Sequence, residues 1–396
     1  MTKIIVVNSG STSKKYGFYE GDKLVLSFHF EKEQNHEFVL NVKKEGNFDQ
    51  TSKIDQEIYE KAFSHLVSYL LDNHFIESEA ELGAAIFRVV APGTYFTEDR
   101  EIDADFLDRL DEIHDQAPLH IEKMKSEFSQ VTDRLPNLKL ISISDSRFHK
   151  DKPEVASMYA LPEYIVNELD IRKFGYHGIS VSSVINKIKL EREEVPEKII
   201  VCHLGGGSSI TAIKNGQSIE NSMGYSPLEG LPMATRIGNI DAGAIISIAD
   251  RMDLEMSEIR DILYYKSGLK GVSGGTDDVR DLLEKMRNHD PKATLALDLF
   301  TYNIKKTISA YFGILGGLDL LVFTGTIGER SRDIRNMVCK DLSCLGIEID
   351  DAANLRKMSE PGFINKPGSM VSVEVIHTEE EKEIATRSLE YLEKLS

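Results

Sequence analysis

The chain has 396 residues, 41% of them hydrophobic and 28% charged, enough to bury the cores of two or three domains and too balanced for a disordered or fibrous protein. Its 47 Lys and Arg stand against 65 Asp and Glu, and the resulting net charge of −18 repels nucleic-acid phosphates and anionic lipid, which argues against both as partners. Three cysteines without CxxC spacing, no run of 18 apolar residues and only four apolar residues after Lys3 give no disulfide framework, zinc ribbon, membrane span or signal peptide, so a cytoplasmic address is expected.

Ile4 to Val7 reads as a buried strand running into the polar turn Asn8-Ser9-Gly10-Ser11-Thr12-Ser13-Lys14-Lys15. Tyr16 to Tyr19 followed by Glu20-Gly21-Asp22-Lys23 predicts a hairpin. Between Ile54 and about Phe75, Ile58, Ala62, Leu66 and Leu70 recur every fourth residue, the pattern of an amphipathic packing helix. Lys139 to Ile143 is a further strand, ending at Ser144-Asp145-Ser146, and Lys173 to Gly178 a loop. Ile199 to Val201 with Gly205 and Gly216 repeats Ile4 to Val6 with Gly10 and Gly21 at an offset of 195 without a gap. A third strand and loop of this kind runs from Leu320 to Glu329. The chain therefore reads as two similar α/β halves facing a cleft. A last helix, begun by a capping box of Thr378 and Glu381, turns Ile384, Ala385, Leu389, Leu392 and Leu395 inward.

Glycine- and serine-rich turns after strands expose backbone N–H groups to a bound oxyanion, so three of them point to phosphate, although each alone also fits a plain tight turn. Neither GxGxxG nor GxxxxGK[ST] is present. Arg88 interrupts the apolar run Ala84 to Val90, and Arg236 follows Pro232-Met233-Ala234-Thr235; each calls for a fixed anion, either a structural carboxylate or a substrate carboxylate or phosphate. Asp145 at a strand end suits a metal or nucleophile-orienting role, or a helix cap. His120, His177 and His203 lie beside glycine, proline or strand-end signals without metal-ligand spacing.

In order along the chain, Asn8 to Tyr16, Gly175-Tyr176-His177-Gly178, His203-Leu204-Gly205, Ser222 to Leu231 with Thr235-Arg236, and Phe323-Thr324-Gly325 through Gly328-Glu329 resemble the motifs of the acetate kinase family. The resemblance spans essentially the whole sequence. It implies two duplicated ribonuclease-H-like domains of the actin, hexokinase and Hsp70 type. Residues 1–150 would form the N-terminal α/β domain, joined by a helix at about 384–396, and residues 151–383 a C-terminal domain with nucleotide loops and a homodimer interface. The implied reaction is reversible transfer of a phosphoryl group between ATP and acetate, giving acetyl phosphate and ADP, with Mg²⁺ or alternatively Mn²⁺.

By position, the resemblance implies that Arg88 binds the carboxylate while Val90, Leu119, Tyr176 and Pro227 wall a methyl-sized pocket. Asp145 would orient the acid or act through the metal, His177 and Arg236 would face the γ-phosphoryl group, and His120 would support them. Asn8 and Glu380 would position Mg²⁺. Ser11, Ser13 and Lys15 would touch phosphates; His203, Gly205, Gly206 and Gly207, then Asp278, Val279 and Arg280, then Thr326, Ile327, Gly328, Glu329 and Arg330 would line the nucleotide.

Several positions depart from the family pattern. The usual HRVVHGG stands as Phe87-Arg88-Val89-Val90-Ala91-Pro92-Gly93, and LGNG as Leu204-Gly205-Gly206-Gly207. AGIGEN is replaced by Gly325-Thr326-Ile327-Gly328-Glu329-Arg330, which puts a Cβ where the backbone would approach adenosine. Tyr176 stands for Phe. Arg147, beside Asp145, either pairs with it or points to solvent. Three readings follow: a working acetate kinase; a kinase shifted to propionate, butyrate or a pyrophosphate donor; or a ligand-binding paralogue with little turnover.

Overall fold

The computed structural model describes residues 1–9, 13–32, 37–44, 48–114, 118–356 and 361–395. It divides into two compact units. The first comprises Met1–Arg147 with Glu379–Ser396, the second Phe148–Thr378.

The first unit is built on β1 (Lys3–Ser9), β2 (Ser13–Glu20), β3 (Lys23–Lys32), β4 (Phe38–Lys44), β5 (Phe48–Ile54), β6 (Leu82–Val89), β7 (Arg100–Glu101) and β8 (Lys139–Ser144). They lie side by side in the order β5-β4-β3-β2-β1-β6-β8-β7. From β1 to β5 the pairing is antiparallel, as short turns require, whereas β6 and β8 run parallel to β1 and need crossover connections. Alternation of side chains decides what each face covers. Ile5 and Val7 of β1 join the core under helices Ala62–Asp72, Ala104–Glu112 and Pro118–Arg134, and the last helix, Glu380–Leu395, packs on β1, β6 and β8. The amphipathic stretch expected from Ile54 is two helices, Gln56–Glu60 and Ala62–Asp72, with Ala62, Leu66 and Leu70 buried as their spacing predicts.

The second unit repeats the plan with β9 (Lys198–Leu204), β10 (Ser208–Lys214), β11 (Gln217–Asn221), β12 (Leu320–Thr324), β13 (Gly362–Phe363) and β14 (Ser372–Val375), ordered β11-β10-β9-β12-β14-β13. Here β9, β10 and β11 form the antiparallel meander, and β12 and β14 the parallel additions. Shifting β1 by 195 residues lands on β9 at both ends, and β2 and β10 begin at that same offset, so the sequence echo is a repeat of structure. The hairpin tips agree too: Gly21 and Gly216 both sit at positive φ, where a side chain would be strained. Ile199, Val201, Leu320 and Val322 face helix Gly178–Glu191, while Ile200, Cys202, Leu321 and Phe323 face helices Val279–Arg287, Pro291–Leu315 and Arg332–Cys339.

Two local expectations are corrected. The segment after β12 is a helix, Gly325–Arg330, entered directly from the strand, because Gly325 takes φ +76° and turns the chain at once. The last helix begins at Glu380, past the expected Thr378 cap, and its Leu395 is exposed while Glu383 and Arg387 are buried. An arginine goes inward where the fold supplies a carboxylate for it, here Asp99.

Candidate active site

In the first unit Arg88 projects from the end of β6 beside the end of the parallel strand β8. Its Nη2 lies 3.3 Å from Oδ2 of Asp145, the residue following β8, and its Nη1 donates to Oε2 of Glu380, the first residue of the last helix, at 3.0 Å. Burial alone would lower the guanidinium pKa, but the carboxylates of Asp145 and Glu380 outweigh it and raise it, so Arg88 carries a fixed positive charge. Its Nε is buried without a hydrogen-bond partner among the described residues, so one donor of the fork remains uncommitted. Of the two sequence alternatives for Arg88, the structure shows the pairing with structural carboxylates. Val90, just beyond β6, is half-buried. Asn8 near the end of β1 stands opposite Lys15 of β2, which is exposed. Ser11 lies outside the described residues, as do the side chains of Ser13, Leu119 and His120.

Arg147 does not pair with Asp145. It bonds Asp99, which also receives the guanidinium of Arg387 and the backbone N–H of Ser144. This group was invisible in the sequence, since Asp99 and Arg387 lie 288 residues apart.

In the second unit His177 and His203 stack with ring centroids 4.1 Å apart. His177 holds a left-handed backbone (φ 58°) at the mouth of helix Gly178–Glu191, a strained state for a residue with a Cβ and one often found where a side chain is aimed at a ligand. Serines fix both rings: Ser209 Oγ lies 3.0 Å from Nδ1 of His177, and Ser180 Oγ lies 2.7 Å from Nδ1 of His203. The opposite nitrogen of His177 faces the glycine turn after β9. A Cβ on Gly207 would meet Nε2 of His177 at 3.2 Å and Nη1 of Arg236 at 3.4 Å, so the imidazole and the guanidinium both border the glycine turn closely enough to crowd a side chain there. Arg236 Nη1 donates to the Pro227 carbonyl, 3.2 Å away, and to Met233 Sδ at 3.7 Å, and Gly206 O accepts from Ala234 N–H at 3.3 Å, tying the turn to the arginine's own loop.

Tyr176 is buried, and its hydroxyl donates to the Tyr225 carbonyl at 2.7 Å. The extra oxygen relative to Phe is thus spent on the loop that carries the half-buried Pro227. On the nominated nucleotide side, Asp278 caps helix Val279–Arg287, and Arg280, hydrogen-bonded to it, holds its carboxyl below the usual range. Val279 is core. Gly325 is required where it stands, since a Cβ would lie 2.7 Å from the Leu204 carbonyl. Thr326 and Arg330 are exposed, Ile327 packs on the core and Gly328 is buried. Glu329 turns its carboxylate inward: Oε1 accepts from the backbone N–H of Gly325 (3.1 Å) and Thr378 (3.2 Å), and Oε2 lies 2.6 Å from Nδ1 of His377. The serine partners of the histidines, Ser180 and Ser209, sit inside or next to recognisable motifs, but nothing in their spacing marks them as partners.

An antiparallel meander with two parallel additions, made twice in one chain with the first meander lengthened to five strands, is the duplicated ribonuclease-H-like fold of actin, hexokinase and Hsp70. Proteins of this fold include kinases, and the comparisons with known proteins place the chain among the phosphotransferases with a carboxyl acceptor. The Acetokinase family profile matches residues 3–386, and the chain belongs to that family. An acetate kinase from Clostridium acetobutylicum is 35% identical over 401 residues, covering 99% of this chain and 100% of that protein. The crystal structure of Porphyromonas gingivalis acetate kinase superposes with a TM-score of 0.85 at 32% identity, covering 99% and 100% of the two chains. A propionate kinase structure from Francisella tularensis gives 0.85 at 32%, covering 98% of each. Among the described residues no helix is long and apolar enough to cross a membrane.

Proposed function

We propose that this protein catalyses reversible phosphoryl transfer from ATP to acetate, giving acetyl phosphate and ADP. The observation that carries the reading is that the His177 imidazole and the Arg236 guanidinium both lie against the glycine turn at Gly207. A guanidinium and an imidazole beside a glycine turn suit a γ-phosphoryl group, whose negative charge spreads over three equatorial oxygens during in-line transfer. An acetate oxygen attacks phosphorus, the bond from phosphorus to the β-phosphate oxygen breaks, and ADP leaves. Arg88 receives the acetate carboxylate through its uncommitted donor, and Asp145 orients the acid. Val90, Leu119, Tyr176 and Pro227 recognise the short alkyl group, the Tyr176 hydroxyl being taken by the Tyr225 carbonyl. His203 holds His177 by stacking, and His120 supports the centre. Gly205, Gly206 and Gly207 offer the backbone to phosphate, with Ser11, Ser13 and Lys15 supplying contacts from the first unit.

Asn8 and Glu380 fit a magnesium ion in kind, being an amide and a carboxylate oxygen donor. Among the described residues no three acidic, histidine or cysteine side chains form a cage. When bound, Mg²⁺ neutralises charge on the β- and γ-phosphates. Asp278, Val279, Arg280 and the segment from Thr326 to Arg330 line the nucleotide; Glu329 does so by holding the backbone at Gly325 rather than by touching it.

We further propose a cytoplasmic homodimer formed through the second unit. Helix Ala242–Met252 has no buried residue, and its Ile246 and Met252 are each 62% exposed. Leu295, Leu299 and Tyr302 form one exposed face of helix Pro291–Leu315. Cys344 is free and exposed, which a reducing compartment tolerates.

The test is acyl phosphate trapped with hydroxylamine, using acetate, propionate and butyrate, each with Mg²⁺ and either ATP or pyrophosphate. Acetate with ATP is expected to give the highest kcat/KM. Turnover only with pyrophosphate would overturn the donor and implicate exposed Thr326, preference for a longer acid would overturn the acceptor, and no turnover in any arm would overturn the reaction.

A further inference from the structure

We propose that Asp99, Arg387 and Arg147 act as positioning residues that set Asp145 and Glu380 as one body; this rests on the roles given to those two carboxylates above. The Asp99 carboxylate is fully buried at the head of β7. Arg387 grips it through Nη2 and through Nε, the latter at 3.2 Å, and Nη2 also donates to the Ser144 carbonyl at 3.0 Å. Arg147 adds a third bond from the more exposed side.

Ser144, the residue before Asp145, is held at every polar atom. Its N–H donates to Asp99 Oδ1 at 2.9 Å and its carbonyl accepts from Arg387. Its hydroxyl donates to the Phe96 carbonyl at 2.5 Å and accepts the Ser146 N–H at 3.1 Å. Asp145 N–H itself donates to the Val89 carbonyl, 3.0 Å away on β6, next to Arg88. The peptide chain on both sides of Asp145 is thereby fixed to the cluster.

The same cluster fixes the helix. Arg387 follows Glu380 by seven residues, two helical turns, so both project from one face of helix Glu380–Leu395. One end of that face meets Asp99 and Ser144, and the other meets Arg88, which also meets Asp145. Arg88, Asp145, Ser144, Arg387 and Glu380 therefore form a closed ring of contacts, with Asp99 as the anion that keeps Arg387 in place. A lysine at 387 could keep the charge but could not bond Asp99 and the Ser144 carbonyl in the same fork.

The test compares Arg387→Lys with the double variant Asp99→Asn/Arg387→Met, which leaves no buried arginine without its acid should either single charge deletion fail to fold. Asp145→Asn and Glu380→Gln run alongside. Melting is followed by circular dichroism, turnover by hydroxylamine trapping, and metal affinity by Mn²⁺ electron paramagnetic resonance in the presence of ADP. In folded protein, kcat is expected to fall about tenfold or more, with the ATP KM within about twofold and Mn²⁺ half-saturation raised about threefold. Unchanged kcat and Mn²⁺ half-saturation in folded variants would overturn the proposal, as would a loss that only tracks the unfolded fraction. Wild-type turnover in Asp145→Asn and Glu380→Gln would instead remove the roles on which it rests.

Discussion

Lys152 is 6% exposed, and its Nζ has no hydrogen-bond partner among the described residues. Burial pushes its pKa from 10.5 down to about 8, against the attraction of Glu220 and Glu229 and with a smaller push from Lys173. At neutral pH the fold thus carries an ammonium that would be better solvated in the unfolded chain. The difference between 10.5 and about 8 corresponds to about 3 kcal/mol at roughly 1.4 kcal/mol per unit, with the pull of the two glutamates already included. Lys152→Met keeps the length of the side chain and removes the charge. It is expected to stabilise the second unit by up to about 3 kcal/mol below pH 8, a rise in Tm of about 6 to 12 °C for a unit of this size. Because the folded pKa is depressed for a base, the unfolded chain binds more protons between about pH 8 and 10.5, and wild-type stability rises with pH across that window. The variant lacks this contribution. Calorimetric melts of both proteins between pH 6.5 and 9.5 decide the matter: the gap in Tm should be widest below pH 8 and narrow above it. A variant that melts at or below the wild-type temperature at pH 7, or a gap independent of pH, would refute the argument.

Arg236→Ala should lower kcat about 100-fold with little change in acetate KM, whereas Arg88→Ala should act chiefly on acetate KM; steady-state kinetics with acetate varied separates them, and equal small effects in both would undo the roles. Gly207→Ala places a methyl group 3.2 Å from His177 Nε2 and should cut kcat/KM for the phosphoryl donor about tenfold or more while Tm moves by less than about 3 °C. Undiminished turnover would show that the space beside Gly207 is not used. Tyr176→Phe loses the bond to the Tyr225 carbonyl and should cost about 0.5 to 1.5 kcal/mol in urea unfolding, with the order of preference among acetate, propionate and butyrate unchanged; a changed order would place the hydroxyl in the acid pocket.

The fold was legible because duplication leaves a signal that local patterns alone lack. Ile4 to Val6 and Ile199 to Val201 look like any buried strands, but their shared spacing to Gly21 and Gly216 reflects one hairpin length used twice. Candidate residues that the structure brings together were legible where short segments carry them, as at Gly207 and His177. It was not legible where charges meet across long stretches of chain. Arg147 sits two residues from Asp145 yet answers to Asp99, and nothing near Asp99 or Arg387 in sequence forecasts the other. Lys152 is flanked by Asp151 and Pro153, the pattern of a solvated loop, and its burial follows only from how the second unit packs. Glu329 lies in a segment that read as a loop; in the helix entered from β12 its carboxylate accepts from the backbone N–H groups of Gly325 and Thr378, which no sequence spacing foretold.

The first unit is discontinuous in sequence. Its sheet comes off the ribosome early, but the helix covering β1, β6 and β8 follows only after the whole second unit has been made. At about 5 to 20 residues per second, that delay is on the order of 10 to 50 s, far longer than a small domain needs to fold. During it the second unit can finish while the first waits with an apolar sheet face uncovered and Asp99 without Arg387. The unit that begins the chain is thus the last to be completed.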